Sequence, residues 1–277
     1  MSNLRTKNRL INLFEEQPKK KGVFMPFLVT GDPNPEQFLN NVRKIESYFD
    51  ILELGIPFSD PIADGPTVQK ANHRAFQAGM NTTKGLALIK SVREITKKPI
   101  VILTYYNILI QGGESIEDSL NRTLCSFKEC GVDGIVVADL PVEEAGLALK
   151  YCKKYDIKLI FIVAPTTTKA RLEKILDHAE GFLYLISVMG VTGAREKVAK
   201  ITTDTIHKIK SDMKKDLPIL VGFGISKPEH ANTLIEAGAD GVIIGSAIIN
   251  RIEKNLGDYE KMEQQLVDFV SGIGKRL

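Results

Sequence analysis

A chain of 277 residues, 43% hydrophobic and 26% charged, has the length of one large domain or two medium ones and ample material for a core. Its 37 basic and 34 acidic side chains leave a net +3, too small and too dispersed for a surface built to hold nucleic acid or an anionic membrane. Cys125, Cys130 and Cys152 show no CxxC spacing, which argues against a disulfide framework and a zinc site, and no apolar run approaches the roughly 18–20 residues of a membrane span.

The N-terminal stretch scatters its charges and has no apolar signal-peptide centre, so a cytoplasmic protein is expected. Leu10, Ile11, Leu13 and Phe14 at helical spacing predict an extra helix over Lys7–Glu16, ahead of the main fold. Gly22–Thr30 (GVFMPFLVT) reads as a first buried strand, Gly31-Asp32-Pro33 as a turn, and Phe38, Leu39, Val42 and Ile45 as one face of a helix. A second strand covers Asp50–Leu54, and a Pro-, Gly- and Asp-rich loop from Pro57 leads to a helix start near Pro66. Alternation then continues: helix Thr83–Thr96 and strand Pro99–Thr104, helix Ser115–Cys130 and strand Gly134–Ala138, helix Val142–Tyr155 and strand Lys158–Val163. Helix Thr168–Ala179, strand Gly181–Ser187, a GVTGA loop, helix Ile201–Met213, strand Leu217–Gly222, helix Pro228–Ala237 and strand Gly241–Gly245 follow, with helical segments at the C-terminus.

Strict strand–helix alternation without hairpin signals argues for an all-parallel sheet. About eight such units, with no linker or composition shift, favour a closed (β/α)8 TIM barrel formed by residues 1–277 as a single domain. An open doubly wound α/β sheet is the alternative. One motif recurs: a helix closes on Gly, and a small residue plus Asp then introduces the next strand, in CGVDGIVVAD at Cys130–Asp139 and AGADGVIIGS at Ala237–Ser246. Asp50 opens the second strand in a similar way.

Barrel active sites lie at the C-terminal strand ends. Those ends carry Phe27 and Asp32, then Glu53 with Asp60 and Asp64, then Tyr105 and Asn107, Asp139, Tyr184 and Ser187, the GFGIS of 222–226, and Gly245-Ser246. His73, His178, His207 and His230 all map to helices or their edges, so acid–base work falls to carboxylates and tyrosines. Glu53, between Leu52 and Leu54, is a carboxylate inside a buried strand, pointing either into the barrel mouth or outward under a helix. Among apolar groups its charged form is disfavoured, which lets it give as well as take a proton near neutrality. Asp64-Gly65 and Asp60-Pro61 also read as plain turn pairs. The Gly- and Ser-bearing loops after the last two strands sit where phosphorylated substrates are held in barrels, and GVTG at 190–193 adds a third candidate.

At these residues the sequence resembles the tryptophan synthase α-subunit family along nearly its whole length. The matching segments are PFLVTGDP (26–33), LELGIPFSDPIADGPTVQ (52–69), TYYN (104–107), VADLPVEE (137–144), GVTG (190–193), VGFGIS (221–226) and GSAI (245–248). The resemblance implies a (β/α)8 barrel that reversibly cleaves indole-3-glycerol phosphate to indole and glyceraldehyde 3-phosphate without metal or organic cofactor. It also implies a β partner that carries pyridoxal phosphate, in an αββα assembly. By motif, Glu53 and Asp64 match the family's catalytic carboxylates; Gly193, Gly224, Gly245 and Ser246 match phosphate contacts. Phe27, Leu103, Tyr105 and Tyr184 match the indole pocket, and Thr192 the loop residue that reaches Asp64. Ile108 and Met189 depart from the family pattern without removing a catalytic group. A different phosphate-binding barrel would be expected to show a catalytic Lys or a metal-binding His set at the strand ends, and a non-catalytic activating subunit would not need both carboxylates.

Overall fold

The computed structural model describes residues 7–16, 22–186, 195–213, 216–222, 224 and 228–277. Among the described residues nine strands, all parallel, form one sheet: β1 (Val23–Val29), β2 (Leu52–Gly55), β3 (Ile100–Thr104), β4 (Gly134–Val137), β5 (Lys158–Ile160), β6 (Ile162–Val163), β7 (Leu183–Ile186), β8 (Ile219–Gly222) and β9 (Gly241–Ile244). The order β5-β4-β3-β2-β1-β9-β8-β7-β6 leaves β5 and β6 at the two edges, and only Phe161 separates them in the chain. They are the lower and upper halves of one stave, so nine strands make eight staves and the sheet closes. The predicted strand Lys158–Val163 divides because barrel stagger gives each half a different partner: β5 pairs with β4, β6 with β7, and Tyr184 N donates to Phe161 O at the joint.

Both faces of the staves are buried, in two layers set by the period-two alternation. Val23, Met25, Ile51, Val101, Val136, Ile160, Leu220 and Ile243 point into the barrel, whereas Phe24, Leu28, Leu52, Leu54, Ile100, Ile102 and Ile135 pack outward under the helices. The expected extra helix is present over Arg9–Glu16 and closes the N-terminal end of the barrel. Its Leu10 is fully buried in the interior cluster, Phe14 lies against Phe182 at 6.2 Å between ring centroids, and Asn8 Nδ2 donates to the carbonyls of Asp133 and Asp156.

Helix starts follow the sequence signals, with Asn34, Asn81, Ser115, Thr168 and Asp258 each accepting from a backbone N–H three residues on. Two helices differ from expectation. The segment predicted as Val142–Tyr155 is a 3₁₀ turn over Val142–Glu144 followed by helix Gly146–Tyr155, since Pro141 permits the early turn and Gly146 gives the longer helix little local support. The segment predicted as Ile201–Met213 begins earlier, at Arg195.

The recurrent Asp motif has a structural cause. Asp50, Asp133 and Asp240 each donate a backbone N–H to the carbonyl of Phe24, Ile100 and Ile219, respectively, and each takes back the N–H of that same residue through Oδ2, at 2.9–3.0 Å. Each Asp thus fastens the strand it introduces to the strand before it, at the face opposite the expected site. Asp133 is buried and also meets Arg9 Nη1 at 3.0 Å and Arg93 Nη2 at 3.6 Å. Replacing Asp133 by Ala is therefore expected to cost about 2–4 kcal/mol in urea unfolding, with Asp133→Asn, whose Oδ1 can still accept from Ile100, losing distinctly less.

Candidate active site

The two-layer packing settles where Glu53 points. Ile51 lies in the interior layer and Leu52 and Leu54 in the outer one, so Glu53 shares the inward face with Ile51. It stands in register with Phe27 on β1 and Val101 on β3. Its side chain is fully enclosed, and neither carboxyl oxygen has a hydrogen-bond partner of ordinary geometry among the described residues. Burial among apolar groups, reinforced by the charge of Asp64 and only partly opposed by the Tyr184 hydroxyl, pushes its pKa up to about 8.

Asp64 is half-buried in the loop between β2 and helix Pro66–Gln77. The loop turns through Asp64 N donating to Pro61 O at 3.0 Å, and Gln69 Nε2 holds the Asp64 carbonyl at 2.8 Å. Partial burial raises the Asp64 carboxyl to about 6, while the Tyr105 hydroxyl and Asn72 Nδ2, the latter at 3.5 Å from Oδ2, oppose the rise. Near neutrality the pair therefore holds one proton, on Glu53, and one charge, on Asp64.

Aromatic walls surround these two groups. Tyr105 is buried, stacks on Phe58 with centroids 4.9 Å apart, and accepts from Ala63 N at 3.2 Å. Tyr184 belongs to the interior cluster, and its hydroxyl is held far from ionising by burial and by the charges of Glu53 and Asp64. Leu103 touches both the interior cluster and the smaller cluster around Phe27. The Phe27 ring fits only because its neighbours on both sides are glycines. A Cβ on Gly55 would lie 2.8 Å from Phe27 Cζ, and one on Gly245 2.9 Å from Cδ1.

Gly245 follows β9, whose Ile244 pairs with Pro26, so it sits level with Phe27 on the side opposite Glu53. Two strand spacings, roughly 10 Å, separate the two positions across the mouth. Gly245 precedes helix Ser246–Lys254, whose own hydrogen bonds begin with Ile248 N and Ile249 N on the Gly245 carbonyl. The N–H groups of Ser246 and Ala247 are thus offered to the mouth, the arrangement that takes a phosphate. Gly224 is exposed beyond the end of β8. Thr192 and Gly193, with the rest of the GVTG loop, lie outside the described residues.

Of the other candidates, Asp32 is held by Arg74 through paired bonds of 2.7 and 2.9 Å, Asp139 accepts from Tyr106 N at 2.7 Å, and Asp60 is exposed with Ser59 as its partner. Ser187 is outside the described residues, and all four histidines lie on helices. Ile108, one of the two departures from the family pattern, is buried on a short helix over Tyr106–Leu109. Asn72, Arg74 and Phe58 are additions that sequence reasoning missed. For Asn72 a signal existed: a polar residue between Ala71 and Ala75 on the buried stripe of its helix.

A sequence profile for the family described as tryptophan synthase alpha chain matches residues 13–276. Two relatives described by the same words are those of Methanothermobacter thermautotrophicus, 51% identical over 88% of this chain and 87% of its own, and Methanocaldococcus jannaschii, 48% identical over 93% and 89%. Among solved structures, a chain of the tryptophan synthase α2β2 complex of Pyrococcus furiosus superposes with a TM-score of 0.83 at 37% identity, covering 92% of this chain and 99% of that one. The tryptophan synthase subunit alpha of Legionella pneumophila superposes with a TM-score of 0.86 at 30% identity, covering 98% of each.

The glycine contacts around Phe27 make a direct test of the pocket wall. Gly55→Ala is expected to lower stability by about 1–3 kcal/mol in urea unfolding, as overpacking does, and a second change, Phe27→Leu, to recover part of that loss.

Proposed function

The chain belongs to the tryptophan synthase alpha chain family, and within the reaction of that family we propose that Glu53 and Asp64 are the acid–base pair. The α reaction is the reversible retro-aldol cleavage of indole-3-glycerol phosphate to indole and glyceraldehyde 3-phosphate, and the chain is a carbon–carbon lyase of tryptophan biosynthesis that works with a β partner.

Cleavage needs a proton at indole C3, removal of the proton from the adjacent side-chain hydroxyl, and tolerance of positive charge on the ring nitrogen while the bond breaks. Glu53, protonated at neutral pH, gives its proton to C3; as a carboxylate it then takes the hydroxyl proton as the aldehyde forms, and so returns to its starting state. Asp64, ionised, accepts from the indole N–H and offsets the charge of the indolenine-like intermediate. Phe27, Leu103, Tyr105 and Tyr184 enclose the indole, and Gly224, Gly245 and Ser246 hold the phosphate; the family resemblance assigns Gly193 to the phosphate as well and Thr192 to Asp64. Glu53 supplies both proton transfers and Asp64 the charge stabilisation, so the α reaction runs without metal or organic cofactor, and pyridoxal phosphate belongs to the β partner. The whole chain, 1–277, is one cytoplasmic barrel domain in this proposal; no helix among the described residues is long and apolar enough to cross a membrane.

The observation that carries the proposal is a carboxyl group fully buried at the strand tip, with no hydrogen-bond partner of ordinary geometry among the described residues and with Asp64 acting on it. Glu53→Gln is expected to lower kcat for indole release by about 10²–10⁴-fold while substrate affinity stays within a few-fold. Near-normal turnover would sink the assignment. Activity requires Asp64 ionised and Glu53 protonated, so kcat/KM should be bell-shaped, rising through about 6 and falling through about 8.

The same shift fixes a stability trend. Because folding raises the Glu53 pKa from 4.5 to about 8, its contribution to stability is full below pH 4.5 and is lost as pH rises through 8. Glu53→Gln, which cannot ionise, should therefore gain stability over the native chain across that window, as followed by urea unfolding at several pH values.

A further inference from the structure

Asn72 sits on the buried stripe of helix Pro66–Gln77 and is only 5% exposed. Its Nδ2 is directed at Asp64 Oδ2, 3.5 Å away. The helix that carries it is tied down on three sides: Gln69 holds the Asp64 carbonyl at 2.8 Å, Arg74 grips Asp32 through two bonds, and Lys70 meets Glu253 at 3.0 Å. The amide is thus fixed relative to the loop whose carboxyl it faces.

Such a donor distinguishes between the two states of its partner. An amide N–H stabilises a carboxylate and gives less to a protonated carboxyl, whose own proton needs an acceptor. Asp64 is faced by Glu53 from β2, Tyr184 from β7, Tyr105 from the end of β3 and Asn72 from its own downstream helix. The Tyr184 hydroxyl lowers the Glu53 carboxyl and so works against this order, which leaves the preference for a charged Asp64 to the other two. Tyr105 and Asn72 bear on Asp64 and not on Glu53 among the described residues, and of these Asn72 alone cannot ionise.

We propose that Asn72 is a positioning residue of the α reaction: its amide holds Asp64 as the ionised member of the carboxyl pair, which leaves the proton on Glu53. The proposal rests on the roles given above to Glu53 and Asp64, and it adds the group that decides which of them keeps the proton.

The test is the pH profile of indole release from indole-3-glycerol phosphate, measured on the full chain with its β partner for the native protein, Asn72→Leu and Asn72→Asp. In Asn72→Leu the acid limb of kcat/KM should move up by roughly 0.5–1 pH unit, about a three- to tenfold loss on the acid side that recovers as pH rises. In Asn72→Asp, which replaces the donor by a second carboxyl of the same shape, the limb should move further up. If the Leu variant fails to fold, the Asp variant decides the question by itself. A role limited to packing would lower kcat equally at every pH; an acid limb unmoved in both variants overturns the proposal. Asp64→Asn separates the two levels. If it keeps near-normal turnover, the assigned carboxyl roles fail and this proposal with them. If it is inactive while both Asn72 variants keep the native limb, only the positioning role of Asn72 fails.

Discussion

The structure turns on the desolvation of one carboxyl group. Glu53 is enclosed in the upper part of the barrel with neither oxygen in a hydrogen bond of ordinary geometry to a described residue, a condition that folded chains normally avoid because water would solvate the group far better. The fold accommodates it by keeping it neutral: the interior raises its pKa to about 8, so what is buried at neutral pH is an uncharged acid. Asp64, eleven residues on in the half-open loop, is raised only to about 6 and keeps its charge. Two groups of the same chemistry are separated by exposure, and the charge on one helps hold the proton on the other.

That arrangement depends on strand register. A one-residue slip of β2 would bring Leu52 and Leu54 into the barrel and turn Glu53 out under the helices. At the N-terminal face, the Asp50 and Asp133 staples pin β2 to β1 and β4 to β3 through paired bonds to single residues. At the mouth, the Phe27 ring needs glycine on both neighbouring staves and finds it at Gly55 and Gly245, which fixes β2 and β9 against β1 from the other end.

The same two-sided burial explains what could be read from the sequence. Element order, the parallel barrel and the strand-tip position of Glu53 follow from alternation and from the rule that barrel sites lie at the strand ends. The direction of Glu53 does not, because a stave buried on both faces is apolar at every other position and the alternation that marks an inner face disappears. For the same reason KLIFIV gives no hint that the stave changes partner at Phe161. The Asp motif is visible as a repeat, but its purpose appears only once Phe24, Ile100 and Ile219 are seen opposite. Asn72 lies two helical turns beyond Asp64, and its role needs the helix to fold back over the loop. The family resemblance supplied Gly245 and Ser246 as phosphate contacts; the structure adds that Gly245 is also where the Phe27 ring must pass.

Helix Pro66–Gln77 links the two ends of the candidate site. It begins just after Asp64, and through Lys70 and Arg74 it reaches Glu253 on helix Ser246–Lys254, whose first residue is a proposed phosphate contact. Arg74 also grips the loop after β1 through Asp32, whose carboxyl is raised by burial more than the guanidinium lowers it. A buried ion pair of that kind adds little net stability, because the desolvation of both partners offsets most of their attraction. What it supplies is direction: two paired bonds, 2.7 and 2.9 Å long, fix how the helix lies against β1. One helix therefore sets the distance between the charge proposed to meet the indole nitrogen and the amides proposed to meet the phosphate. In the proposed site, a substrate held at both ends in this way would present the bond between them to Glu53 in one orientation.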